Sequence, residues 1–229
     1  MSVPRRLQLA PSILTADFGR IADEVRAVAD TVDWFHLDVM DGHYVDNLTF
    51  GASTVRAIDA AVDTPLHVHL MIEDPMKFAA VFAGAGADRI SFHPEVVPDP
   101  PAVVAAIRDA GAAAGAAVHP DSPLDWIERL LGSLDVVLMM TVRPGFGGQS
   151  FLGEVVPKIA EARRLVDRGG FSADIEVDGG VNLSTVDQAV GAGADILVAG
   201  SAVYDGRDPA AAARRMRERL DMLAEAGSR

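Results

Sequence analysis

Short β-branched runs along this chain carry histidines and carboxylates at alternating positions, so that residues two apart share a face. His36, Asp38 and Met40 lie on one face of one run, opposite Phe35, Leu37 and Val39. His67, His69 and Met71 align on a second run, Ser91 and His93 on a third, and Glu176 and Asp178 on a fourth. Ser12 and His119 close two others. A lone histidine at a strand end is ordinarily a hydrogen-bonded structural residue. His36 and Asp38 together are harder to bury, because two inward ionisable groups are costly without a shared partner. With His69 and Asp178 they make a set of two histidines and two carboxylates, which suits one divalent zinc, iron, manganese or cobalt ion per chain. The chain has no cysteine, so thiolate ligands and thiolate catalysis are excluded. His93 and His119 read as supporting or wall residues, and Met40, Met71 and Met140 read on spacing alone as core filling.

A second constellation is rich in glycine. Pro144-Gly145-Phe146-Gly147-Gly148-Gln149-Ser150 follows the sixth apolar run, Asp178-Gly179-Gly180-Val181 closes the seventh and Ala199-Gly200-Ser201-Ala202 closes the eighth. Glycine permits close backbone approach, so successive N–H groups can surround a phosphate. One such loop is only a turn; three on adjacent strands predict a phosphate site.

The elements that must position these groups are strands expected near 7–12, 34–39, 65–71, 88–93, 115–119, 135–141, 174–178 and 195–199, with helices between them. Eight strands and eight helices at this spacing predict a single (β/α)8 TIM barrel spanning residues 1–229, whose strand C-terminal ends carry the active site. A doubly wound sheet is the rival, but no dinucleotide or Walker-type loop follows the first strand. Gly84-Ala85-Gly86-Ala87-Asp88 and Gly191-Ala192-Gly193-Ala194-Asp195 are alike and fit glycine helix stops feeding strands.

Composition bounds the partners. The 229 residues are 49% hydrophobic in short blocks, enough for one continuous core and too short to span a bilayer. The N-terminal segment lacks a signal peptide's apolar stretch, so a cytoplasmic protein without membrane contact is expected. A formal charge of −13 argues against a nucleic-acid partner. An anionic substrate must then be held by local devices, of which helix N-termini and a bound cation are the obvious ones.

Ala10-Pro11-Ser12-Ile13-Leu14 with Ala16-Asp17-Phe18, HLDVMDGHYVDNLTFG at 36–51, HLMIEDP at 69–75, MTVRPGFGGQSF at 140–151, VDGGVN at 177–182 and AGSAV at 199–203 together resemble the ribulose-phosphate 3-epimerase family over nearly the whole chain. The resemblance implies a divalent metal on His36, Asp38, His69 and Asp178, with Asp38 and Asp178 also serving as the acid/base pair. It implies substrate contacts from Ser12 and His69, a wall of Met40, Met71 and Met140, and phosphate binding by Gly145, Phe146, Gly147, Gly148, Gly179, Gly180, Gly200 and Ser201. The expected reaction is inversion of C3 between D-ribulose 5-phosphate and D-xylulose 5-phosphate, with another ketose phosphate such as allulose 6-phosphate as the alternative substrate. A homo-oligomer is expected. The chain departs from the family's pattern at Arg143 (usually Asn or acidic), Asp46 (commonly Pro), His67 (commonly Asp) and His119 (commonly Asn). Arg143 is expected to support the glycine loop from outside or to make a subunit contact.

A Schiff-base aldolase or lyase would need an inward lysine. The only lysines are Lys77 and Lys158, both in predicted helices.

Overall fold

A computed structural model describes residues 6–227. Its strands are β1 Gln8–Ala10, β2 Phe35–Met40, β3 Leu66–Met71, β4 Arg89–Phe92, β5 Ala113–Val118, β6 Val136–Met140, β7 Asp174–Asp178 and β8 Ile196–Val198. The helices are α1 Ile21–Val28, α2 Ala52–Asp59, α3 Pro75–Ala83, α4 Pro100–Asp109, α5 Val156–Gly169, α6 Val186–Gly191 and α7 Pro209–Gly227. All eight strands are parallel in the order β1-β8-β7-β6-β5-β4-β3-β2. The seam between β1 and β2 is closed by Trp34 N–H donating to Leu9 O (3.3 Å) and His36 N–H donating to Pro11 O (3.0 Å). The expected barrel is therefore the observed fold. Among the described residues no helix is long and apolar enough to cross a membrane.

One expected helix does not form. Between β5 and β6 the described chain makes only two single 3₁₀ turns, Ile127–Arg129 and Leu131–Ser133. Pro120, Pro123 and Gly132 punctuate this segment, and proline and glycine interrupt an α-helical ladder. Elsewhere the helix starts follow local chemistry: Asp74 and Asp99 accept the N–H groups of Lys77 and Ala102, with a proline opening each helix.

The closed sheet has two environments. Outward-facing Leu37, Val39, Val68, Leu70, Ile90 and Phe92 pack beneath Val25, Val55, Ile58, Phe82 and Ile107 of the helical layer. Inside, small apolar clusters (Ala10, Val136, Ile196 and Val198; Ala117, Leu138, Met140 and Val142) fill one side. His36, Asp38, His67, His69, Ser91, Glu176 and Asp178 fill the other, all buried. At the opposite end of the barrel a carboxylate recurs before every even strand. Asp33, Asp88, Asp135 and Asp195 accept the N–H groups of Leu9, Leu66, Ala114 and Ile175 at 2.7–2.8 Å. Each carboxylate thus satisfies a backbone donor at the start of the preceding odd strand, and the even-strand repeat fixes the register from which the site is built.

Candidate active site

Strand register brings the polar exceptions together. Asp38 pairs with His69 and Met40 with Met71 across β2 and β3. Met140 pairs with Asp178 across β6 and β7. Ser12 lies outside β1, two residues past its end, where it caps a 3₁₀ turn and bridges to His36. Its hydroxyl donates to Asp38 Oδ2 at 2.6 Å. That leaves Asp38 Oδ1 facing two imidazoles, 3.3 Å from His36 Nε2 and 3.1 Å from His69 Nδ1. Asp178 Oδ2 approaches the same nitrogens at 3.7 and 3.9 Å. One ligand atom from each of His36, Asp38, His69 and Asp178 lies within 4.8 Å of all the others. His36 Nε2 is buried with no hydrogen-bond partner. A buried ring nitrogen aimed at two carboxylates needs a proton or a cation between them, and the donor set fits a divalent cation.

The tautomer of His69 follows from its neighbours. His93 Nδ1 faces Glu95 Oε1 (3.1 Å) and the Tyr44 hydroxyl (2.9 Å), which itself donates to Glu95 at 2.9 Å. A carboxylate only accepts, and the tyrosine proton is used on it, so His93 Nδ1 carries the hydrogen. His93 Nε2 then accepts from His69 Nε2–H at 3.0 Å. His69 Nδ1 is left with its lone pair toward the aspartates. His93, expected as a supporting residue, is thus the link between His69 and Glu95.

The charges are mutually dependent. Burial favours a neutral Asp38, but the neighbouring His36 outweighs it and holds the carboxyl well below its usual range. Burial and then the nearby Asp38 charge push Asp178 up to about 8. Burial works against a charged His36, yet Asp38, Glu176 and Asp178 overcome it and its pKa stands well above the ordinary imidazole value. Burial lowers His69 to about 3. With these residues alone, the cluster shares protons rather than carrying two bare carboxylates.

Above it opens a narrow pocket of about 50 Å³. It is lined by Ser12, Asp38, Met40, Met71, Met140, Gly145, Phe146, Gly147, Gly148, Asp178, Gly179, Gly180, Gly200 and Ser201. Every expected substrate contact is there except His69, which is fully buried below the floor. Thr15, Val142 and Gln149 line it too and were not singled out from the sequence. Gly180 needs its φ of +66°, and a Cβ there would stand 2.3 Å from Phe151 N. The Pro144–Ser150 loop is tied down by Asn47 Nδ2 donating to Gly145 O and by Gln149 Nε2 donating to Arg143 O and Phe146 O, all at 2.7–2.8 Å.

Three of the four departures gather in a neighbouring depression, where Asp46, His119 and Arg143 join Tyr44, Glu95 and Phe146. Arg143 does not reach the glycine loop with its guanidinium. It pairs with Asp121 at 3.0 Å, both side chains being exposed, and such pairs contribute little. The fourth, His67, lies buried inside the barrel against Glu176.

The family model described as the ribulose-phosphate 3 epimerase family matches residues 8–204. The chain belongs to the ribulose-phosphate 3-epimerase family. A ribulose-phosphate 3-epimerase of Mycobacterium leprae is 48% identical over 211 residues, covering 92% of this chain and 94% of that protein. One of Bacillus subtilis is 47% identical over 204 residues, covering 88% and 94%. Among solved structures, KGPDC from Streptococcus mutans in complex with D-R5P superposes with a TM-score of 0.74 at 17% identity, covering 95% of this chain and 98% of that one. The 3-hexulose-6-phosphate synthase of Salmonella typhimurium gives 0.70 at 20%, covering 95% and 100%. At such identities these two share the barrel, whereas the epimerase-family relatives share nearly half their residues.

Proposed function

We propose that this enzyme interconverts D-ribulose 5-phosphate and D-xylulose 5-phosphate by inverting C3, with Asp38 and Asp178 as its two bases. The observation that carries the reading is that these carboxylates, from β2 and β7, reach one imidazole nitrogen while both border the glycine-lined pocket. His36, Asp38, His69 and Asp178 would hold one divalent ion, zinc, iron, manganese or cobalt, which when bound would supply positive charge to stabilise the negative charge that develops in the reaction. One aspartate takes the C3 proton from one side, and the electron pair moves into the C2 carbonyl to give an enediolate. The other aspartate returns a proton to the opposite face. Ser12 keeps Asp38 Oδ2 engaged, so that the carboxylate's orientation is fixed. Met40, Met71 and Met140 form a buried wall of low polarity beside the reacting carbons. Backbone N–H groups of Gly145–Gly148, Gly179, Gly180, Gly200 and Ser201 bind the phosphate, as loops after the last barrel strands commonly do.

A dianionic sugar phosphate does not cross membranes unaided, which supports a cytoplasmic setting. The exposed Phe18 and Leu48, joined through Phe50, support a homo-oligomer; light scattering giving a monomer mass would refute it. The test of function is an epimerisation assay on both pentulose phosphates before and after chelator treatment. Turnover that needs a restored divalent ion is expected. A higher specificity constant for allulose 6-phosphate would move the assignment to a six-carbon substrate, and full activity in chelator would remove the metal from it.

A further inference from the structure

Beneath His36 the barrel interior holds a second polar group that the proposed chemistry does not use. Glu176 Oε1 lies 2.9 Å from His36 Nδ1. Its other oxygen lies 2.8 Å from His67 Nδ1, off the line of an aligned hydrogen bond, and 3.8 Å from Arg89 Nη1. His67 Nε2 in turn is 2.7 Å from Ser91 Oγ. His36, His67, Ser91 and Glu176 are at most 1% exposed. Gly115 makes the room, since a Cβ there would stand 2.0 Å from Ser91 Oγ.

Five groups buried at this cost need a purpose, because an apolar filling like that across the barrel would pack as well. The geometry supplies one. A carboxylate accepts and cannot donate, so the His36 nitrogen facing Glu176 must carry its proton. The opposite nitrogen, Nε2, is the orphaned atom that points between Asp38 and Asp178.

We propose that Glu176 is the positioning residue of the site: it holds the His36 proton on Nδ1, presents the Nε2 lone pair upward, and is itself held by His67 and Arg89. This rests on the reading of His36 as a metal ligand. Carboxylates that accept from a ligating histidine fix its ring and raise its basicity. His67 suits the role, because it places a nitrogen against Glu176 where an aspartate would place a second negative charge. The two histidines of the site are then oriented by separate carboxylates, His36 directly by Glu176 from within the barrel and His69 through His93 by Glu95 at the rim.

Glu176→Gln keeps the shape and removes the charge. Its amide can turn an N–H toward His36 Nδ1, which would move the imidazole proton to Nε2 and block ligation. Chelator-stripped wild type, Glu176→Gln and His36→Ala are titrated with Zn²⁺ against a competing chelator. Wild type should bind one ion per chain, His36→Ala should fail, and Glu176→Gln should bind about 10–100-fold more weakly. At saturating ion the KM of Glu176→Gln for substrate should remain that of wild type, since Glu176 does not line the pocket. Zinc bound by Glu176→Gln as tightly as by wild type overturns the inference, even if thermal stability falls. Wild type that binds no ion removes the metal reading itself, and this inference with it. Should Glu176→Gln not fold, nitrogen-resolved NMR of zinc-loaded wild type decides: a proton on His36 Nδ1 is expected, and zinc on Nδ1 overturns the assignment.

Discussion

Asp38 and Asp178 meet at one nitrogen of His36, whose Nε2 stands 3.3 Å from Asp38 Oδ1 and 3.7 Å from Asp178 Oδ2. The carboxylates come from the second and seventh strands of a closed sheet, so the chain between them spans most of the barrel. Their closeness makes the site's charge dependent on whether a cation or a proton lies between them.

Binding an ion should therefore release protons. With His36 raised above its ordinary pKa and Asp178 pushed up to about 8, each carries a proton at pH 7. Ligation needs both lone pairs, so about two protons should leave per ion bound. Both groups have raised values, so acid competes with the ion. Apparent affinity should rise with pH through about 8, where Asp178 gives up its proton, and fall steadily below that. Calorimetry at pH 7 in two buffers of different ionisation enthalpy checks this. Identical heats would show that the ligands were already deprotonated.

Gly180→Ala tests the phosphate loops. A left-handed φ costs an L-residue roughly 1–2 kcal/mol, and the added Cβ would meet Phe151 N at 2.3 Å. The loop must shift, so kcat/KM for the sugar phosphate should fall by about tenfold or more, while zinc stoichiometry stays unchanged. An unaltered KM and kcat would separate this turn from phosphate binding.

Asp195→Asn should affect stability and spare chemistry. Asp195 is buried at the far end of the barrel, where it pairs with Arg163 Nη1 at 3.0 Å and accepts from Ile175 N–H at 2.7 Å. Removing one partner of a buried ion pair costs up to about 3–5 kcal/mol. Denaturant unfolding should show a loss of that order, with kcat and KM of the folded fraction unchanged. A wild-type midpoint would mean that water or Asp167, 2.9 Å from Arg163 Nη2, compensates for the lost charge.

These contrasts also separate what was legible in the sequence from what was not. His36, Asp38, His69 and Asp178 stood out because a period of two exposes any polar residue on a buried strand face. The glycine loops stood out because of the freedom they give the backbone. Glu176 was visible on the same face as Asp178, but its tie to His36 depends on barrel closure, which no local period encodes. The chain from Glu95 through His93 to His69 likewise needs the loop that carries Tyr44 to cross two strands. The missing helix after β5 was masked by an apolar stretch whose prolines and glycine break it into single turns.

The sharpest test of mechanism treats Asp38 and Asp178 separately. Two bases on opposite sides of the substrate require that each remove the C3 proton from one epimer only, and that the partner deliver a proton to the product. In deuterated water the wild-type product should carry deuterium at C3. Asp38→Asn and Asp178→Asn keep size and remove a base, although each also alters a proposed ligand, so ion content is measured and restored with excess cation. With the ion present, each variant should lose epimerisation by about two orders of magnitude or more, the scale of a lost general base. Each should still exchange the C3 proton of the single epimer that its remaining aspartate can reach, and the two should show opposite preferences. Ser12→Ala is the control for geometry, since it frees Asp38 Oδ2 without removing either base; it should slow exchange of one epimer more than the other. One ion-loaded aspartate variant exchanging both epimers equally would mean that a single base serves both faces, and the division of labour between Asp38 and Asp178 would have to be given up.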